Sequence, residues 1–458
     1  MEAVRLASGL TVITILLVAA AGGRGACAFV HRTIESDDGD VIDCVDIYQQ
    51  PALKHAPPGS RVIIHQQAKP ETVSAWKPHH QTWRKHGSCP AGTVPIRRES
   101  SNANPQVAER IRRSSPFGRP TAGSTNRFNL SSTTPSGRRA AGTLFNQSAM
   151  AAPPGGKVEV AAAYATNAPY LGARADVPCW KVDVHPNDFS MSYILVGTTL
   201  DANYRPIPGS DPPAHLTNQI AVGLVAWPSL FGDSLSRLFV YYTNDGGRVD
   251  GEGWGRAEGV VAVAAAAAVA VAFVAVAAPA RVAPEPVSPV SRGARGDIPR
   301  SSFLSALGSS FGASSNSQIG GDLYGVTLGI HRDVAGMRWW VSVNDQDIGY
   351  YPETVFDTRF TDACYVELGG RVMDSRPGGA HTTTPMGSGI PPCAGPRFAA
   401  TIMRYNGVNS GGSLFPDDAS KTIATTPSCY AANPVGFDTS RGGFDVVFGG
   451  PGGIHCDQ

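Results

Sequence analysis

The stretch KVEVAAAYATNAPYLGARADVPCWKVDVHPNDFSMSYILVG, residues 157–197, reads as three strand candidates separated by the chain breakers Asn167, Pro169 and Gly172, then Pro186 and Asn187. In the last of them Phe189, Met191, Tyr193 and Leu195 recur with period two, the spacing of one buried face of a sheet. The composition agrees. With 52 Gly and 36 Pro the chain is rich in turns, which favours an all-β architecture over a helical one. At roughly 150 residues per domain, 458 residues leave room for two or three units. Lys and Arg number 38 against 37 Asp and Glu, so no global charge draws the chain to nucleic acid or acidic lipid.

Moving outward, LTNQIAVGLVAWPSLFGDSLSRLFVYYTND (residues 216–245) carries the most specific motif. It resembles a strand pair of the neprosin family, whose pattern runs roughly N-x-I-[EQ]-[AV]-G-W-x-V-x-P-x-L-[YF]-G-D-x-x-[ST]-R-L-[FY]-x-[YF]-[WY]-T-x-D-G. Asn218, Ile220, Gly223, Pro228, Leu230, Phe231, Gly232, Asp233, Arg237, Leu238, Phe239, Tyr241, Thr243, Asp245 and Gly246 fall in register. Ala221 stands where an acidic or amide residue is expected, and Leu224 replaces a tryptophan. The resemblance implies an antiparallel β-sandwich of catalytic type over residues 157–456, preceded by a small β-rich propeptide domain.

The pattern resumes downstream. Arg332, Asp333, Gly336, Trp339, Trp340, Gly349, Tyr350, Tyr351 and Pro352 match it, and Trp339, Trp340 and Tyr351 become candidates to line a substrate groove, with an aromatic core as the alternative. CYVELGGRV (residues 364–372) and TTTPMGSG (residues 382–389) match the family's V-E-W-G-G-E-V and T-x-M-G-S-G, with Glu367 retained and Arg371 in place of the second glutamate. The final strand and its F-G-G-P-G-G terminus are also typical of the family.

The N-terminus reads as a signal peptide over residues 1–26: Arg5 precedes an apolar run from Leu6 to Ala21, followed by small residues. Its apolar core is shorter than the roughly 20 residues of a membrane span. Residues 31–98 form the next unit, and VIDCVDIY (residues 41–48) with WRKHGSCPAGTVPIRR (residues 83–98) resembles the activation peptide of neprosin zymogens. Residues 99–154 are too polar to bury a core and read as a disordered linker. Arg110, Arg112 and Arg113 give it a protease-accessible character, and Asn129 and Asn146 head glycosylation sequons.

Secretion makes the eight cysteines candidates for disulfides. Cys27 sits at the expected cleavage edge. Cys44 and Cys89 share the N-terminal unit and are expected to pair. Cys429 and Cys456 close the C-terminal segment, where the family resemblance also implies a bridge. Cys179, Cys364 and Cys393 are left as buried thiols or unassigned partners, and no C-x-x-C spacing suggests a metal.

Residues 248–301 break the family pattern with an insert dominated by Ala, Val, Gly, Arg and Pro. The run 259–278 is long enough to span a bilayer on length alone, but its alanines give weak burial. A membrane span, a surface insertion and residues introduced by a retained intron or shifted frame are the three readings. A membrane partner is not expected.

Neprosin-type enzymes are glutamic endopeptidases that cleave after proline in acid. That chemistry needs two neighbouring carboxyls, one ionised to take a proton from water and one protonated to donate. Their proximity pushes the two pKa values apart. Here Ala221 supplies neither role, Glu367 is the candidate catalytic residue, and Arg371 shares its face on a regular strand. No G-x-S-x-G, H-E-x-x-H, Walker loop or dinucleotide fingerprint offers other chemistry, and no cofactor is expected. The expected function is that of a secreted plant prolyl endopeptidase acting on proline-containing peptides in the apoplast or cell wall. The alternative is a silent extracellular sandwich that binds peptides or wall polymers.

Overall fold

Strands with alternating apolar residues need something to cover each apolar face, and here two large sheets cover one another. The computed structural model describes residues 30–50, 77–98, 157–167, 169–199, 216–243, 260–261, 274–275, 305–312, 316–356, 360–376, 381–453 and 456. The expected signal peptide, the linker with Asn129 and Asn146, and all but two residue pairs of the insert lie outside the described residues.

The N-terminal unit contains β1 (Val30–Glu35), β2 (Val41–Asp46), β3 (Lys77–Pro78) and β4 (Thr93–Arg97). Three of them form an antiparallel sheet in the order β1-β2-β4, and β3 leaves the unit to pair with the larger domain. Cys44 and Cys89 are disulfide-bonded as expected, with Cα atoms 5.3 Å apart. They share a small core with Ile34, Ile42 and Trp83.

The larger domain runs through β5 (Lys157–Ala165), β6 (Gly172–Pro178), β7 (Ser190–Thr198), β8 (Asn218–Ala226), β9 (Arg237–Thr243), β10 (Val260–Val261), β11 (Val274–Ala275) and β12 (Tyr324–Asp333). It continues through β13 (Arg338–Val343), β14 (Gln346–Pro352), β15 (Tyr365–Asp374), β16 (Ala400–Val408), β17 (Leu414–Pro416), β18 (Lys421–Ala424), β19 (Ala431–Asp438) and β20 (Gly443–Gly449). Among the described residues one sheet has seven strands in the order β10-β9-β8-β7-β15-β5-β18. The other runs β11-β14-β13-β12-β6-β16-β20-β19, with β17 on β16 and β3 on β12. All pairings but that of β3 are antiparallel, so the all-β sandwich expected from the sequence is the fold. Of the insert, Val260–Val261 extends the first sheet beyond β9 and Val274–Ala275 extends the second beyond β14. No helix among the described residues is long and apolar enough to cross a membrane.

Period-two alternation sorts each strand between two environments. Ile194 and Val196, Ile220 and Val222, and Val366 and Leu368 face the second sheet, where they meet Ala173, Leu328, Ile402 and Phe448 in the main core. Met191, Tyr193 and Leu195, Ala221, and Tyr365 point the other way, into a second cluster on the outer face of the seven-stranded sheet. Trp180–Val184, part of a strand candidate in the sequence, is instead irregular after Pro178, touching a strand-like partner only through the Trp180–Ser317 bridge. Cys429 and Cys456 are joined as expected, and of the three other cysteines among the described residues only Cys179 is buried.

Candidate active site

Ala221 on β8 and Glu367 on β15 both pair with Leu195 on β7. They therefore lie on one face, at one level, two inter-strand spacings apart, or roughly 10 Å between Cα atoms. Two glutamates so placed would bring their carboxyls together over Leu195. That geometry selects Glu367, rather than position 371, as the partner of position 221. Arg371 is four residues along and pairs with Met191, one row of side chains further from Ala221 than Gly369 and Tyr193.

Glu367 is 2% exposed and its carboxylate is fully engaged. Tyr365 donates its hydroxyl to Oε2 at 2.7 Å, Arg371 donates Nη2–H to Oε1 at 2.9 Å, and Tyr193 also donates to Oε1. Arg371 Nε–H donates in turn to the Tyr193 oxygen at 2.8 Å, with the guanidinium over that ring. Gly369 lies between Glu367 and Arg371 on the same face, where a Cβ would meet the Ala161 carbonyl at 2.3 Å; the close approach of β5 to β15 requires glycine there. Burial pushes the Tyr193 and Tyr365 phenols well above their ordinary value, Glu367 adding to it, so both remain donors. Burial alone would lower Arg371, but Tyr193 and Glu367 outweigh it and raise it. All the partners of Glu367 are donors, so the cluster fixes it as an acceptor and provides no acid to act on a substrate.

Of the residues singled out from the sequence, Ala221, Glu367 and Arg371 come together. The three groove aromatics do not join them. Trp339 and Tyr351 are buried between the sheets, where Trp339 stacks on Phe360 and donates to its carbonyl at 2.8 Å, and Tyr351 packs on Tyr242. Trp340, pointing the other way from β13, is buried against Tyr350 on the outer face of the second sheet. The aromatic-core alternative is what their burial supports, since a large ring gains most from losing its whole surface to water. The sequence reading missed Tyr193 and Tyr365 as Glu367 ligands. The signal was available: Tyr365 is two residues before Glu367, and Tyr193 belongs to the period-two stripe assigned to packing.

A second group of titratable side chains, Glu159, Asp374 and His381, converges within 4.8 Å at the far ends of β5 and β15. Glu159 is already engaged by His381 Nε2 at 2.7 Å, Lys157 Nζ at 2.5 Å and Thr426 at 3.0 Å. The adjacent Cys429 and Cys456 sulfurs are tied in their disulfide. This group pins the C-terminal segment to β5.

The comparison with protein families agrees with the geometry. Residues 300–451 match the Neprosin family and residues 33–136 the Neprosin activation peptide. The chain belongs to the neprosin family. The neprosin match covers β12 to β20, and β3 and β5 to β11 complete both sheets from outside it.

The activation-peptide match places the N-terminal unit of this neprosin-family chain in a functional context, and the structure shows where that unit sits. Arg237 on β9 lies in the same cross-strand row as Val225, Met191 and Arg371. Asp40, from the β1–β2 turn, accepts from Arg237 Nη1 at 2.8 and 3.0 Å, from Arg97 at 2.6 Å and from the Ser310 amide at 2.9 Å. Arg97 and Arg237 both face the Phe231 ring. The activation-peptide unit therefore closes the Arg237 end of the face that carries Glu367.

Proposed function

We propose that this chain is a secreted neprosin-type protein that binds proline-containing peptides on the outer face of the seven-stranded sheet and does not cleave them. The observation that carries this reading is the position across Leu195 from Glu367, which is Ala221. Hydrolysis needs a group to deprotonate water and another to protonate the amine that leaves. Glu367 offers only acceptor oxygens, and Ala221 offers nothing. Losing one member of a pair that acts as a unit typically costs several orders of magnitude in rate. The retained sandwich, with Tyr193, Tyr365, Tyr241 and Phe239 on the same face, supports binding of an apolar, proline-rich chain once that face is uncovered.

The test incubates the protein, full-length and after proteolytic cleavage of the 99–154 segment to free the face, at acid pH with a proline-containing peptide, following binding by calorimetry and cleavage by mass spectrometry. The wild type binds without cleaving, and Ala221→Glu gains cleavage after proline. Cleavage by the wild type that disappears in Glu367→Gln would overturn the silent-binder reading in favour of an active endopeptidase.

A further inference from the structure

The N-terminal unit grips the sandwich in two places, and the two respond differently to acid. The first is the Asp40–Arg237 joint. Burial would raise the Asp40 carboxyl, but Arg237 and Arg97 outweigh it and hold the group below its ordinary value of 3.8. A depressed carboxyl keeps its contribution until pH falls through its folded value, so this joint stays charged through mildly acid conditions.

The second is the strap formed by β3 and residues 79–86. Its backbone pairs in parallel with the start of β12, His79 N–H donates to the Gly325 carbonyl at 3.2 Å, and Thr82 N–H to that of Ser310 at 3.2 Å. The Gln81 amide exchanges two hydrogen bonds with the backbone of Ala306, at 2.6 and 2.7 Å, and Asn344 donates to the His79 carbonyl at 3.1 Å. The His79 side chain, 6% exposed, is wedged against Phe311 and Tyr324, with ring centroids 5.5 and 5.8 Å away. Its Nε2 is buried and has no hydrogen-bond partner among the described residues.

Among the described residues no carboxylate bears on His79 to balance a positive charge. From its own segment His80 and Lys85 bear on it, both repelling a proton, and Arg84 is hydrogen-bonded to His80 at 2.9 Å. From β12 comes the neutral Tyr324 phenol, and from the 305–312 segment the Phe311 ring and backbone. The acids on neighbouring segments are engaged elsewhere: Asp38 with Ser310, and Asp345 with Arg174 at 2.7 and 2.9 Å.

We propose that His79 is an acid-sensitive catch: protonation of its imidazole loosens the strap from β12 and the 305–312 segment while the Asp40–Arg237 joint is still charged. The inference needs no substrate and stands apart from the peptide-binding reading. Burial pushes the docked ring from 6.5 down to about 4, opposed in part by a backbone hydrogen bond to Phe311. The neutral ring's contribution to docking is therefore complete above pH 6.5 and is lost as pH falls toward 4. Between pH 7 and pH 4.5 the strap's grip weakens roughly 60-fold by proton linkage.

Hydrogen exchange of the full-length protein, corrected for the intrinsic pH dependence of exchange, tests this at the His79 and Thr82 amides. Their protection is expected to drop by one to two orders of magnitude between pH 7 and pH 4.5, while β7 and β15 amides keep theirs. His79→Gln abolishes the drop, and His79→Phe, which preserves the ring packing, does the same if the glutamine variant folds poorly. Asp40→Asn lowers protection at both pH values and leaves the step between them. A flat wild-type profile, or an undiminished step in both His79 variants, overturns the proposal.

Discussion

Each large sheet forms a buried arginine–carboxylate pair between its own side chains on its outer face, Glu367–Arg371 on the first and Asp176–Arg404 on the second, and these two pairs are built differently. On the second sheet Arg404 grips Asp176 with two donors, Nε at 2.6 Å and Nη2 at 2.9 Å, and Thr327 adds a hydroxyl at 2.7 Å. Arg404 has φ of +53° at a bulge where β16 shifts register between its two neighbours, and its own amide is held by Asp445 at 2.9 Å. On the first sheet Arg371 lends Glu367 a single donor and spends another on Tyr193. No bulge or strained backbone is pinned by it. The difference teaches how to separate a pair that holds the fold from a carboxylate inherited with a site: the first is bidentate and anchors an irregularity, the second is filled by whatever donors surround it.

The largest effect that would sharpen this contrast is at Arg404. Arg404→Ala leaves Asp176 buried with its main counter-charge gone and unpins the bulge, and is expected to cost about 3–5 kcal/mol in denaturant unfolding. A cost under about 1 kcal/mol would erase the distinction between the two pairs.

The same sheet face gives a pH test. Burial raises the Asp347 carboxyl on β14 to about 7, whereas in the unfolded chain it ionises near 3.8. A carboxyl raised in the folded state is at no disadvantage below the unfolded value, and its ionisation penalty grows as pH rises toward the folded value. Asp347→Asn is therefore expected to leave stability at pH 3 unchanged and to raise it at pH 8 by on the order of 3 kcal/mol, read from unfolding midpoints at the two pH values. Equal stability of mutant and wild type at pH 8 would show that the outer face of the second sheet is better hydrated than its burial implies.

Glu367→Gln is expected to cost less, about 1–3 kcal/mol, because the amide keeps one acceptor oxygen for Tyr193 and Arg371 and loses only the charge and the Tyr365 contact. If chemical denaturation instead shows a loss as large as that of Arg404→Ala, Glu367 is a fold-holding residue and the contrast fails.

Much of this was legible in the chain. The period-two stripe through Phe189, Met191, Tyr193 and Leu195 marks both the strand and its face, and the family motifs single out Ala221, Glu367 and Arg371 as parts of one site. Alternation along one strand could show that Glu367 and Arg371 share a face; only cross-strand register could show that Glu367, and not position 371, is level with Ala221. The aromatics misled for a related reason. Trp339 and Trp340 are adjacent and must face opposite ways, so no single groove holds both, and which face is buried depends on a partner sheet that local sequence does not name. The strap contacts of His79 were equally invisible, since they join residues separated by more than 200 positions.

The smallest effect sets the floor for the comparison. Arg98 neighbours Arg97 on the chain and also meets an aspartate through two donors, reaching Asp43 at 2.6 and 2.9 Å. Yet its side chain is 54% exposed, against 6% for Arg97. Water already solvates the Arg98 guanidinium, although Asp43 is only 14% exposed, so the two-donor geometry that makes Arg404 costly to remove has little to protect. Arg98→Ala is expected to change unfolding stability by less than about 1 kcal/mol, and 0.5 M salt to reduce even that. Arg97→Ala, which strips a partner from the buried Asp40 beside Arg237, is expected to cost several times more in the same measurement. Equal losses for the two neighbours would mean that geometry alone, and not removal from water, sets the worth of these pairs.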